Sequence, residues 1–409
     1  MNSKIRFWRI IVLLGVVMIG YVPVVEGQAD DSLSFRRRHR FVHGVEMEFR
    51  PEYIFPSHPF LRGDNPENKL IRDASSVHLK YSLRYRPGSI DERIYGGVYQ
   101  GIGFGRYFFG EPEQLGNPIV FYLFQGARIV RILPWLSLNY EWNFGLSTGW
   151  KPYDAVYNEY NKMLGSGINA YINTNFYLYW KLTSRLSLTS GITLAHFSNG
   201  NTSFPNAGLN TIGVKIGLNY NFYQKEDRVS EAVAGKVSVP VLHPHISYDF
   251  VFFGSWRRKG IDVYEGQVPS PEAYPVFGIN FNPMYNLNYK LRLGVSLDGV
   301  YDGSANISLR DGMVPGNIEK SDILRPSLGK QFALGFSGRV EYVMPFFTMG
   351  IGMGTNVIGE GDLKSFYQLL ILKIALSRET FLHVGYNLKD FHEPNFLMLG
   401  VGFRFNNKR

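Results

Sequence analysis

Residues 186–222 read LSLTSGITLAHFSNGNTSFPNAGLNTIGVKIGLNYNF, two alternating segments joined by a loop rich in Asn, Gly, Ser and Pro. Side chains of a β-strand point alternately to opposite faces, so residues of one parity share a face. The apolar parity of the first segment ends in His196 and Ser198, and that of the second segment begins at Asn210. A β-hairpin here therefore has three polar side chains at the end of an apolar stripe, which makes chemical sense if the stripe meets an apolar substrate.

The composition of the whole chain agrees with an ordered β protein. Its 409 residues are 45% apolar and 15% aromatic, with 44 Gly and no Cys. So many aromatic residues argue against disorder, and the lack of Cys excludes disulfides and a lipid-modified cysteine. The net charge of +9 is more economically explained by a basic surface near lipid phosphates than by nucleic acid, and we expect no nucleic-acid partner.

The N-terminus, residues 1–27, predicts a secretory signal peptide. Lys4, Arg6 and Arg9 precede an apolar core over residues 10–25, which is the expected order of charged and apolar regions. A transmembrane anchor is the competing interpretation, but the core is short for a span. Further along, the sequence has no run of about 18 apolar residues and instead repeats alternating segments of about ten residues, the pattern of a transmembrane β-barrel.

Alternation predicts two sets of eight strands separated by a charged segment. In the first set the polar face is rich in Asn, Ser, Gly and Tyr, which suits a barrel interior better than the surface of a soluble sandwich. The predicted strands are 43–55, 76–86, 92–108, 118–130, 135–150, 168–180, 186–198 and 209–223, then 241–254, 273–288, 291–303, 330–344, 346–356, 365–377, 380–388 and 395–406. Long and short connections alternate, and the long ones are expected to face outside.

The predicted fold class is all-β, an antiparallel up-and-down transmembrane β-barrel. Residues 28–223 form the half with the His and Ser, 224–240 a linker, and 241–409 a second half. We expect the second half to complete a single barrel of about 16 strands, because outer-membrane barrels have even numbers of strands and occur in many sizes. Two barrels of eight strands each are the alternative, which periodicity alone does not distinguish.

The last hairpins of the two halves share a faint repeat. Pro394-Asn395 before an alternating strand echoes Pro205-Asn206 in the first half. Chance similarity between barrel hairpins accounts for this about equally well. If the repeat is real, the second copy has lost the chemistry, because its outward positions carry neither His nor Ser. Those outward positions are Val384, Tyr386 and Leu388.

The loop and its flanks carry two short motifs, an H-x-S-N run from His196 to Asn199 and a Pro-Asn-x-Gly turn from Pro205 to Gly208. With these motifs the segment resembles the active-site hairpin of PagL-type outer-membrane lipid A deacylases, most closely the longer members called acyloxyacyl hydrolases. The resemblance is good over 165–223, weaker upstream where only the strand pattern agrees, and does not extend to the second half.

The resemblance implies a serine esterase whose site faces the membrane. By position, Ser198 would be the nucleophile and His196 the general base, with Asn199 and Asn206 as oxyanion or orienting residues. The family has a glutamate at the position of Asn210, which here can orient the imidazole but cannot stabilise its charge. No Asp or Glu lies between Tyr160 and Lys225, so any replacement acid must come from elsewhere in the chain.

The function expected from this resemblance is hydrolysis of an ester-linked acyl chain of lipid A, the lipid anchor of lipopolysaccharide, in the outer leaflet of a Gram-negative outer membrane. A Ser–His mechanism implies no metal and no cofactor. Two non-catalytic alternatives remain open, a pore and a structural assembly barrel that keeps a degenerate site. The sequence leaves the oligomeric state undetermined.

Overall fold

A computed structural model describes most of the chain, namely residues 41–86, 89–222, 238–263, 266–310, 318–391 and 393–408. The predicted signal peptide, 1–27, lies outside the described residues, and so does the predicted linker except for 238–240. No helix within the described ranges is long and apolar enough to cross a membrane.

The first eight strands close into a barrel on their own. Each strand pairs antiparallel with the next along the chain, and the last pairs with the first through register partners such as Met47 and Leu218. The strands are β1 (Phe41–Ile54), β2 (Asp73–Tyr85), β3 (Tyr99–Phe109), β4 (Gly116–Leu133), β5 (Leu136–Trp150), β6 (Ile168–Lys181), β7 (Leu186–Ser198) and β8 (Leu209–Asn221).

A second barrel of eight strands follows, closed by pairing of its last strand with its first. Its strands are β9 (His245–Arg257), β12 (Tyr274–Asn286), β13 (Leu291–Asp302), β16 (Phe332–Val343), β17 (Phe347–Ile358), β18 (Phe366–Ala375), β19 (Thr380–Lys389) and β20 (Glu393–Phe405). Two small sheets lie in its loops, β10 (Gly260–Val263) with β11 (Gly266–Pro269) and β14 (Ser308–Leu309) with β15 (Ile323–Leu324).

The expectation of one barrel with about 16 strands is therefore wrong, and the alternative of two eight-stranded barrels is confirmed. The physical reason is edge pairing. Because β8 pairs with β1, the first sheet has no free edge to which β9 could add, and the second half closes its own barrel rather than completing the first one.

Short helical segments occupy several connections. The predicted strand 92–108 begins only at Tyr99, because Ile90–Tyr95 is a helix. Its start is capped by Ser89, whose side chain accepts from the backbone N–H of Glu92 at 3.1 Å, and Gly96 ends it at φ +73°; both are standard helix-terminus signals. The other helical turns are Pro59–Arg62, Pro112–Leu115, Lys320–Asp322, Leu328–Gln331 and Gly361–Leu363.

Buried charged side chains fill the interior of the first barrel. Lys80 Nζ lies 2.7 Å from Glu141 Oε2 and 2.8 Å from Glu48 Oε1, and Lys215 Nζ contacts the same Glu48 oxygen at 2.5 Å. These four side chains are at most 1% exposed. The second barrel has its own network, in which Lys373 Nζ lies 2.7 Å from Asp249 Oδ2. The interior of each barrel thus contains a network of buried, mutually paired charges, and such charges are stable in a low-dielectric interior only when they are paired.

The two barrels pack side by side through outward-facing apolar residues. Trp142 on β5 meets Phe347 on β17 edge to face, with ring centroids 5.2 Å apart. Trp142 is 8% exposed and Phe347 is 1% exposed, whereas most outward-facing side chains of the barrels are exposed. Other members of this contact are Met344, Leu372, Ile374, Leu123, Tyr140, Phe144, Leu382 and Val384.

Candidate active site

Strands β7 and β8 bring two of the candidate residues directly opposite each other. His196 and Asn210 are register partners across the antiparallel pair, and Ser198 lies two residues beyond His196 on the same outward face. All three are half-buried. Neighbouring outward side chains are exposed, with Leu194 at 41% and Val214 at 50%. The polar residues therefore stand at the end of a lipid-facing apolar wall.

The imidazole of His196 is oriented by its cross-strand neighbour. Its Nδ1 lies 2.7 Å from Oδ1 of Asn210. An amide oxygen can only accept a hydrogen bond, so Nδ1 carries the proton and the lone pair of the neutral ring is on Nε2. Within the described part of the chain this is the single hydrogen bond of the His196 side chain, and the free Nε2 is the atom a general base needs.

Gly208 makes room for the imidazole. A Cβ atom built on this glycine would lie 2.9 Å from Cε1 of His196, closer than real Cβ contacts come. The residue also adopts φ +74°, a conformation that glycine tolerates far better than other residues. The Pro-Asn-x-Gly turn thus ends in glycine for two separate reasons, its backbone conformation and the ring beside it.

The Ser198 hydroxyl makes no hydrogen bond to any described residue. Its strand neighbour on β6 is Ala170, a small residue, while His196 faces Ile172. In a structure without substrate, catalytic hydrogen bonds are often long and tighten only when the substrate binds. Ser198 and His196 share one face of β7 and are two residues apart, a spacing at which two side chains of one strand can converge.

Asn199 and Asn206 hold the loop that follows Ser198. The backbone N–H of Asn199 donates to Asn206 Oδ1 at 2.9 Å, and Asn199 Nδ2 donates to the carbonyl oxygens of Ser203 at 2.7 Å and Pro205 at 3.5 Å. This geometry supports an orienting role for both residues. Because the Asn199 amide nitrogen already has acceptors, its role as an oxyanion donor stays a prediction.

A second loop, which precedes β6 and which sequence reasoning missed, is hydrogen-bonded to the loop after Ser198. Gly165 donates its N–H to the Pro205 carbonyl at 2.6 Å and accepts from the Ser203 hydroxyl at 2.8 Å. Gly208 donates to the carbonyl of Met163 at 3.0 Å. Two of these three contacts join backbone groups and the third uses the Ser203 hydroxyl. The loops are far apart in sequence, so no motif predicts the contacts, and the loop's position before β6 was the only available signal.

No carboxylate takes the place of the family glutamate among the described residues around His196. The acid closest along the neighbouring strand, Glu52 on β1, points into the barrel. There it accepts from Ser76 at 2.7 Å and from Thr211, the residue after Asn210 but on the opposite face. The barrel wall therefore separates this carboxylate from the imidazole, and the third member of the site is a neutral amide.

Fold and site together define a two-barrel protein of the bacterial outer membrane, with a histidine, a serine and an asparagine on its lipid-facing wall. Residues 81–219 match the family model described as lipid A 3-O-deacylase (PagL), and residues 246–407 match the one described as acyloxyacyl hydrolase, C-terminal domain. Together the matches cover more than half of the chain. The chain belongs to the PagL-type lipid A deacylase and acyloxyacyl hydrolase family, and the second match extends this membership to the half that the hairpin resemblance did not cover.

The solved structures that match the chain have low sequence identity and low TM-scores. The outer-membrane enzyme PagL is 10% identical with a TM-score of 0.30, over 42% of this chain and 97% of its own. Neisserial surface protein A is 10% identical with a TM-score of 0.29, over 44% and 97%. The Acinetobacter baumannii outer-membrane protein Omp33 is 7% identical with a TM-score of 0.17, over 90% and 99%. A search of the curated proteins finds no match.

Proposed function

We propose that this protein hydrolyses an ester-linked acyl chain of lipid A, with Ser198 as nucleophile and His196 as general base. The observation that carries the proposal is the His196–Asn210 hydrogen bond of 2.7 Å on the lipid-facing wall, beside Ser198. An oriented imidazole with a free Nε2, next to a hydroxyl, is the arrangement of a nucleophilic hydrolase. The exposed apolar residues around it, such as Leu194 and Val214, suit contact with an acyl chain.

The reaction divides into two steps. Ser198 Oγ attacks the ester carbonyl while its proton passes to His196 Nε2; the bond to the sugar-side oxygen then breaks, and that oxygen takes the proton from Nε2. This leaves the acyl group on Ser198. A water molecule, deprotonated by His196, then attacks the acyl carbonyl, and the proton returns to Ser198 Oγ as the fatty acid leaves.

An oxyanion donor is required in both steps, and the backbone offers one. The N–H of Gly200, two residues after the nucleophile, has no acceptor among the described residues. A backbone N–H held in a fixed loop stabilises the developing negative charge without reorganising, an effect of about 3–4 kcal/mol in comparable hydrolases. We assign this role to Gly200, with the Asn199 side chain as an orienting group.

The test is mass spectrometry of lipid A from cells that express the wild type or Ser198→Ala. We expect the wild type to remove one acyl mass and Ser198→Ala to remove none. Ser190→Ala is the matched control, because Ser190 lies on the same face of the same strand and accepts only from the Trp180 indole at 3.0 Å. Heat-modifiable gel migration reports folding of each barrel.

Two outcomes would contradict the proposal. Unchanged lipid A in all three strains, at equal folded levels, would mean that the site is degenerate and that the non-catalytic alternatives move ahead. Deacylation by Ser198→Ala at the wild-type rate would mean that another residue is the nucleophile.

A further inference from the structure

The loop that follows the nucleophile is hydrogen-bonded to the second barrel. Asn201 Nδ2 donates to the backbone carbonyl oxygens of Pro394 at 2.7 Å and Asn395 at 3.2 Å, at the start of β20. Asn201 adopts φ +64°, a left-handed conformation that asparagine tolerates better than most residues. Its side chain thereby reaches across the gap between the barrels.

The same side chain connects to the residue after Ser198. Asn201 Oδ1 accepts from Asn206 Nδ2 at 3.5 Å, and Asn206 Oδ1 accepts from the backbone N–H of Asn199 at 2.9 Å. A continuous path of side-chain amides therefore runs from the backbone of β20 to the peptide that joins Ser198 to Asn199. A shift of the second barrel would move this path directly.

Two apolar contacts accompany the hydrogen bonds. The ring of Phe204 packs so tightly on Gly260 that a Cβ added there would lie 2.7 Å from Phe204 Cε2. A Cβ added to Gly200 would lie 3.5 Å from the Leu397 side chain. The catalytic loop therefore contacts the second barrel at three residues, Gly200, Asn201 and Phe204, all between the nucleophile and Pro205.

The partners of Asn201 and Gly200 lie on the hairpin β19–β20, which holds the same place in the second barrel as β7–β8 in the first, whereas Gly260, the partner of Phe204, begins β10 in a loop of that barrel. Its outward positions Val384, Tyr386 and Leu388 carry no His or Ser and are half-buried, and Val384 packs in the contact between the barrels. The hairpin without catalytic residues thus supports the hairpin that has them.

On the basis of the proposed function, we propose that the second barrel is a positioning element for the esterase, acting through Asn201 and Phe204 on the loop after Ser198. The loop carries the Gly200 N–H, so its position fixes the oxyanion donor relative to the nucleophile. Displacements of about 1 Å in such a group reduce turnover by up to roughly a hundredfold. Asn201 is a positioning residue and does not touch the substrate.

The first test is Asn201→Gly in the full chain. Glycine keeps the positive φ and removes only the side chain, which separates the lost hydrogen bonds from backbone strain. Asn306→Gly is the matched control, because Asn306 also has positive φ, at +57°, and donates to two backbone carbonyls, of Lys330 and Glu360, but within the second barrel alone. We expect Asn201→Gly to lower kcat about tenfold to a hundredfold with KM unchanged, and Asn306→Gly to leave both constants unchanged.

The second test approaches the loop from the other barrel. Gly260→Ala leaves the sequence of the first barrel unchanged and introduces a methyl group 2.7 Å from the Phe204 ring and 2.9 Å from Oε1 of Gln267, the end of a flexible side chain. Gly338→Ala adds a methyl group with nothing within 4 Å. We expect only Gly260→Ala to lower kcat. Amide exchange of the Asn199 N–H should accelerate in Asn201→Gly and Gly260→Ala and remain unchanged in the two controls.

The outcomes separate this inference from the proposed function. An inactive wild type refutes the proposed function, and amide exchange at Asn199 then still tests the positioning. An active wild type with unchanged kcat and unchanged exchange in Asn201→Gly and Gly260→Ala overturns the inference and leaves the esterase intact.

Discussion

Asn210 Oδ1 lies 2.7 Å from Nδ1 of His196, its direct partner across the β7–β8 pair. The contact fixes the tautomer and the direction of the ring, as a carboxylate would. It does not supply the negative charge with which a carboxylate stabilises an imidazolium. The imidazole is therefore oriented as in a Ser–His–acid hydrolase, but no carboxylate charge lies beside it.

This difference predicts a gain of activity in Asn210→Glu, which restores the family residue. We expect kcat to rise by about tenfold or more, because the reverse change from acid to amide in a Ser–His–Asp triad lowers kcat roughly 10⁴-fold. Asn210→Gln is the matched control, since it adds the same methylene without charge. Initial rates on purified lipid A in mixed micelles give kcat for both variants. Equal rates of Asn210→Glu and Asn210→Gln would contradict the interpretation that the missing negative charge limits kcat.

Gly208 gives a second prediction. Gly208→Ala should abolish most activity, because its methyl group would lie 2.9 Å from His196 Cε1 and would displace the ring. Gly96→Ala is the control: Gly96 has nearly the same φ, +73° against +74°, but nothing within 4 Å of an added Cβ. Both changes carry a similar backbone strain of about 1–2 kcal/mol, so activity lost only in Gly208→Ala isolates the contact with the imidazole. A similar loss of activity in Gly208→Ala and Gly96→Ala would contradict a specific effect of the contact with the imidazole.

The charge network inside the first barrel gives a third prediction, this one on stability. Lys80→Ala removes the cation that pairs with Glu141, whereas Glu48 keeps its contact with Lys215, and removing one partner of a buried ion pair costs about 3–5 kcal/mol. Lys69→Ala is the control, because Lys69 and its partner Glu67 are 64% and 52% exposed and such pairs contribute at most about 1 kcal/mol. Urea unfolding in lipid vesicles measures both. If Lys80→Ala lowers the free energy of unfolding no more than Lys69→Ala does, the charge network does not stabilise the first barrel.

The parity argument predicted the hairpin that carries His196, Ser198 and Asn210 because it depends only on local alternation. The predicted strand 186–198 has the bounds of β7, and 209–223 begins with β8, which ends at Asn221, while residue 223 lies outside the described residues. Direct pairing of His196 with Asn210 follows once the loop length fixes the register. The helix Ile90–Tyr95 was missed although Ser89 and Glu92 carry a capping signal, because the alternating segment was extended through it.

Barrel closure and the contacts between barrels have no such local signal. Whether β8 pairs with β1 or with β9 depends on strands nearly 180 residues apart, and both pairings satisfy the same alternation. The path from Asn201 to Pro394 joins two halves through backbone carbonyls, which every residue possesses. These features emerge only when three-dimensional packing is known, and they distinguish one barrel from two.

The contact between the barrels yields the last prediction. Trp142 and Phe347 meet edge to face at 5.2 Å, and aromatic pairs of this kind contribute about 0.5–1.5 kcal/mol beyond the area they bury. A double-mutant cycle of Trp142→Ala with Phe347→Ala, read by urea unfolding in vesicles, should give a coupling energy in that range. Trp142→Ala with Phe336→Ala is the control, because Phe336 is 55% exposed on a different strand and no ring contact joins it to Trp142 among the described residues. Zero coupling in the first cycle would mean that the barrels do not pack through this pair, and the support that the second barrel gives to the loop after Ser198 would then depend on the contacts of Gly200, Asn201 and Phe204 alone.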